Sequence, residues 1–247
     1  MTEAGTASTE GLRARFAAIV REDLAAETAA GFPLIRRFPN SEVVGAPDYV
    51  SRLTEADRGR LLDALAHYST LWWSHDVVRE KKAHPVLGPY LARHPSYPAS
   101  DWYGGRPKEA RLRNAVKTML TETGYAREPI EGVRGTAVIR YRHPDPAFTG
   151  RLLVHFDHSL MRQMEFGFRD WLNEGLRAHF GSPNPREFIP IVAMLAYDHL
   201  WHGGGVNNPV CWDLITEENL AETLATMREA LERLTALGRR INNLSAE

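Results

Sequence analysis

The sequence predicts an α+β fold: a helical N-terminal part, a small antiparallel sheet at about 135–169, and a long C-terminal helix packed on it. Three observations carry this. Apolar residues recur at helical spacing over 12–24, 61–72 and 220–234, the period falls to two between 135 and 169, and helical segments outnumber strand-like ones.

At 247 residues with 43% hydrophobic content, the chain is long enough to fill a core without staples. A formal charge of -1 gives no global field to draw nucleic acid or an acidic membrane surface. The lone Cys211 forms no intrachain disulfide and fits a reducing cytoplasm, most simply as a small hydrophobe beside Trp212. The opening MTEAGTASTEG lacks a basic and apolar leader pattern, and nowhere do 18 apolar residues run together, so a cytoplasmic, non-membrane protein is expected. Only Lys81, Lys82, Lys108 and Lys117 among the 30 basic residues are lysines, a bias that suggests a GC-rich bacterial genome.

Residues 1–9 are small and polar and read as a disordered tail. A helical subdomain, 10–105, begins with Leu12, Phe16, Ile19, Val20 and Leu24 on one helix face, stopped at Gly31. Thr54 starts the next helix, with Glu55 and Asp57 in its first turn and Leu61, Leu65, Tyr68 and Trp72 as its core stripe. The segment 84–107 interleaves five prolines and three glycines with Tyr90, Tyr97, Trp102 and Tyr103. An irregular run of that length is a lid, a partner surface or a subdomain boundary, and Trp102 and Tyr103 are its partner-binding candidates.

The α+β core, 106–247, opens with a helix from Pro107 that carries Leu112, Val116, Met119 and Leu120 inward and ends at Gly124. Residues 106–142 hold nine Arg and Lys against four Glu, a local excess of +5; a solvated face is the simplest reading, as no nucleic-acid signature accompanies it. Strand-like runs follow at 135–143, 151–157 and 161–169. A three-residue loop at 158–160 would pair Val154 with Met164 and His155 with Gln163, keeping both apolar rows on one face. Asp170 to Phe180 reads as a helix, and 188–202 leans to helix over buried strand. The last helix is capped by Thr216, carries Leu220, Leu224, Met227, Leu231 and Leu234, and ends at Gly238.

Two clusters could carry chemistry. His155 and Asp157 lie two apart on a strand, so both leave one face and reach toward one cation, with His199 or His202 as a third ligand. In that form the residues resemble the HxD...H set of the 2-oxoglutarate-dependent oxygenases, which implies Fe(II) and a jelly-roll core. The chain departs from that pattern in having no Lys or Arg between His202 and Arg228 to hold a cosubstrate carboxylate. If 189–202 is helical, His199 and His202 share a face three apart, an arrangement that also suits Zn. Glu165 then stands as the neighbouring acid or base. The ordinary alternative puts His155 and Asp157 on the wet face of a sheet. Ser74-His75-Asp76 and Asp157-His158-Ser159 crowd triad residues together in sequence, which argues against triad geometry, and GxSxG, P-loop and HExxH motifs are absent.

Two functions follow as expectations. The first is a bacterial cytoplasmic binding or interaction module, of the immunity or toxin-neutralising kind, whose partner is a protein or a small molecule. The second is a metal-dependent enzyme with Fe(II) or Zn held by His155, Asp157 and His199 or His202.

Overall fold

The structure is a computed structural model that describes residues 3–31, 37, 45–71, 74–91, 109–129, 138–157, 163–180, 210–212 and 215–244. Five strands form one antiparallel sheet in chain order, β1 (Ala126–Glu128), β2 (Val138–Arg142), β3 (Arg151–Asp157), β4 (Gln163–Arg169) and β5 (Val210–Cys211). Among the described residues six helices precede it: α1 (Glu3–Ala29), α2 (Gly45–Arg52), α3 (Glu55–Ser69), α4 (His75–Ala83), α5 (Leu87–Leu91) and α6 (Glu109–Glu122). Helix α7 (Glu174–Phe180) follows β4, and α8 (Leu220–Asn242) closes the fold. The architecture is α+β as expected. No described helix is long and apolar enough to cross a membrane.

Alternation along β3 and β4 decides which way the sheet faces. Leu152, Val154, Phe156, Met164, Phe166 and Phe168 are all buried on one side, each worth roughly 1.5–3 kcal/mol of transfer free energy. Against them lie Leu12, Phe16, Val20 and Leu24 of α1, the inward row of α6, and Met227, Leu231, Leu234 and Ile241 of α8, in one continuous cluster. The cluster also takes in Leu61 and Leu65 of α3, so helices from both halves of the chain share it. Trp212 stacks on Phe156 at 5.7 Å, and the Arg113 guanidinium sits 4.7 Å from the same ring.

Several local expectations hold. Thr54 Oγ1 accepts from the Asp57 backbone N–H at 3.1 Å, capping α3. Gly124 at φ +87 ends α6, and a Cβ there would lie 3.0 Å from the Pro144 ring. Ser74, met in the sequence beside His75 and Asp76, caps α4 by accepting from Val77 N–H at 3.1 Å, which accounts for its place in that triplet.

Others are corrected. The hairpin register is displaced by two from expectation: His155 faces Glu165 and Val154 faces Phe166, so five residues, not three, separate the paired ends Asp157 and Gln163. A shift of two preserves parity, which is why the core and polar rows were assigned to the right faces. Helix α8 runs past Gly238 to Asn242. The roughly 1 kcal/mol that a mid-helix glycine costs is offset by burial of Leu237 and Ile241 on either side. Thr216 precedes that helix by four residues. It accepts from Asn219 N–H at 3.2 Å and so shapes the turn that leads in. Likewise α7 starts at Glu174, because Asp170 adopts φ 53 and breaks the chain direction there. Helix α1 begins at Glu3, inside the stretch expected as a tail, and α5 forms inside the segment expected to be irregular. The described strands make one sheet, not the two of a jelly roll.

Candidate functional site

The face of the sheet opposite the core carries arginines and a carboxylate beside the buried Leu153, which pairs with Arg140. Alternation puts Glu128 of β1 directly opposite Arg140 of β2, and Arg151 of β3 one diagonal step further on the same face. One oxygen, Glu128 Oε2, lies 3.0 Å from Arg151 Nε and 3.4 Å from Arg140 Nε. Backbone carbonyls fix the plane of each guanidinium: Arg140 Nη2 donates to Pro129 O at 2.6 Å and Arg151 Nη1 to Thr149 O at 2.8 Å.

These groups form one wall of an open groove of about 1010 Å3. Its other wall is the corner between β4 and α7. Here Asp170 holds its left-handed conformation while its carbonyl accepts from Thr149 Oγ1 at 3.3 Å. Asn173 caps α7 by accepting from Leu176 N–H at 2.9 Å, and Arg177 donates to Leu172 O at 3.0 Å, which swings a third guanidinium into the groove. Asn242 at the end of α8 braces the corner. It donates to Trp171 O at 2.6 Å and accepts from Asn173 N–H at 3.0 Å, and its own carbonyl accepts from the Asn173 side-chain amide at 3.0 Å.

The residues marked out by sequence fall as follows. His155 is half-buried on the same face as the arginines, with Val138 on one neighbouring strand and Glu165 on the other. Asp157 ends β3 two positions on, in the same row. The register therefore puts His155, Asp157 and Glu165 on one face, with Glu165 in place of the expected Gln163 opposite His155. His199, His202, Trp102 and Tyr103 lie outside the described residues, as does the segment 188–202. Among the described residues no group of three His, Cys, Asp or Glu is placed to hold a metal ion.

A second polar cluster centres on His143, a residue that no sequence motif marks out. Its ring is buried among Tyr125, Phe148 and Phe168. Nδ1 accepts from Asp145 N–H at 2.9 Å, so the proton sits on Nε2, 3.1 Å from Thr235 Oγ1 of α8. That hydroxyl donates onward to Leu231 O at 2.8 Å. Burial holds the imidazole below its ordinary pKa, and it holds the neighbouring Tyr125 phenol well above the usual range. Arg239 pairs with Asp145 at the rim. Every donor in this cluster is directed at a group of the fold itself, so it joins the sheet to α8.

No protein-family model, curated protein or solved structure matches the chain. Reasoning about its function therefore rests on the groove and the row of residues beside it.

Proposed function

We propose that the chain is a cytoplasmic binding module of the immunity-protein kind, and that it takes its partner in the groove beside the sheet. The single observation carrying this is the pair Arg140 and Arg151. Both guanidiniums are oriented by backbone carbonyls, yet they share a single carboxylate oxygen at the wall of an open groove. Preorganised donors at an open surface favour binding because little side-chain freedom remains to be lost on association. Native mass spectrometry of untagged protein from a bacterial host tests this. The parent should retain bound mass, protein or small molecule, and Arg151→Gln should lose it. Equal masses for the two proteins would refute the reading.

A second reading, a metal-dependent enzyme, is favoured by the register at β3 and β4. Directly opposed residues on neighbouring strands have Cβ atoms about 4.5–5.5 Å apart, and the register sets His155 opposite Glu165, with Asp157 next along the same row. Fe(II) or Zn would be bound by His155, Asp157 and His199 or His202, with Glu165 as acid or base. Elemental analysis after reconstitution should then find one metal per chain in the parent and none in His155→Ala. Metal-free parent protein would remove this reading.

A further inference from the structure

We propose that the groove recognises a small anion through a carboxylate or phosphate group, and that Glu128 is its internal competitor. The inference rests on the binding-module reading and names the ligand chemistry of the same site. Two guanidiniums contact one carboxylate, so among the described residues this contact leaves one positive charge unmatched. On each, Nε faces Glu128 and one terminal nitrogen faces a backbone carbonyl. The remaining terminal nitrogens, Arg140 Nη1 and Arg151 Nη2, donate no hydrogen bond among the described residues. Arg140 Nε is buried and makes no hydrogen bond among the described residues, although Glu128 Oε2 lies 3.4 Å away. Such a group gains from a better-placed oxyanion, because charge-assisted bonds are about twice as strong as neutral ones.

The charges on the far wall limit the size of that anion. Asp170 and Glu174 line the groove along with Arg177, so an extended polyanion such as nucleic acid would meet carboxylates on this wall. A mono- or dianion seated against Arg140 and Arg151 avoids them. The volume of about 1010 Å3 accommodates a metabolite-sized molecule. To seat the anion, Glu128 must yield at least part of its contact with the pair, which makes it a stand-in for the ligand's own carboxylate or phosphate.

The test follows the arginine Nε–H signals of the full-length protein by NMR, during titration at constant ionic strength with inorganic phosphate in one series and succinate in another. Arg140 and Arg151 should shift and saturate with at least one of the two anions. Saturation by phosphate alone assigns a phosphate ligand, by succinate alone a carboxylate, and by both the shared chemistry. Glu128→Gln keeps the shape and removes the competing charge, so it should bind about tenfold more tightly. Arg151→Gln should bind at least about tenfold more weakly. Unchanged or weaker binding in Glu128→Gln overturns the proposal. So do non-saturating shifts shared equally with the exposed Arg60 and Arg79, which would report surface charge only. If the anions fail while the parent still carries Arg151-dependent mass, the anion assignment falls and the binding module stands.

Discussion

Two arginine–carboxylate networks of opposite character lie in this molecule. Arg233 of α8 is held by α1: its Nε and Nη2 donate to the Asp23 carboxylate at 3.2 and 2.8 Å, Nη2 also reaches Asp23 O at 3.0 Å, and Nη1 pairs with Glu27. Every nitrogen is used, two carboxylates answer one guanidinium, and the Glu27 side chain is only 6% exposed. At the Glu128 wall of the groove the ratio is inverted, with two guanidiniums on one carboxylate and both arginine side chains more than a third exposed. A saturated network fixes helices to each other, whereas an unsaturated, prearranged one is disposed to bind something else.

The sharpest way to break that contrast is to remove Arg233. Arg233→Met leaves two poorly exposed carboxylates facing each other. It should lower unfolding stability by about 2–4 kcal/mol, less than a fully buried pair because Arg233 keeps 23% of its side chain exposed. Urea denaturation reads this directly. The groove should behave in the opposite way: Arg151→Gln is expected to cost only about 0–1 kcal/mol in the same measurement while abolishing retained ligand. A loss from Arg151→Gln as large as that from Arg233→Met would make the groove network structural and remove the contrast.

Acid should separate these networks from the third polar cluster. His143 is held below its ordinary value of 6.5 chiefly by burial, and Asp145 below 3.8 by the Ala147 backbone N–H and Arg239. Arg239 and the Asp145 backbone also act on the imidazole, and the net direction remains downward. A folded-state pKa below the unfolded one means that the unfolded chain binds more protons. The His143 contribution is therefore complete above pH 6.5 and is lost as pH falls through its lower folded value; that of Asp145 follows below pH 3.8. Stability measured from pH 7.5 to 5 should decline, and the decline should flatten in His143→Phe. The smallest effect is expected at Thr54→Ala, about 1 kcal/mol from the lost cap on α3, with no change in the groove.

Local signals were the parts of this fold legible in sequence. The Thr54 cap, the Gly31 and Gly124 stops and the inward row Leu112, Val116, Met119 and Leu120 each depend on a few neighbouring residues, and the structure has them all. Alternation fixed the parity of β3 and β4 but not their register, since a displacement by two leaves the same residues on the same faces. The three-residue β1 and two-residue β5 are too short to show any period. Gly238 misled because a stop signal by composition is overridden when its neighbours are buried. The groove was illegible for a different reason: it gathers side chains from Glu128 to Arg177, four elements whose adjacency exists only in the fold. Its one trace was the charge excess over 106–142, which includes Arg140 and looks in sequence like any solvated face.

Asn242 gives the site a place in time as well as in space. The described strands are complete at residue 211, but the corner at Trp171 and Asn173 receives its three bonds from the side chain and backbone carbonyl of Asn242, 31 residues further on. During synthesis that side chain leaves the ribosome after every strand has done so. A chain ending before Asn242 would keep the described strands and lose the three bonds that brace this corner of the groove.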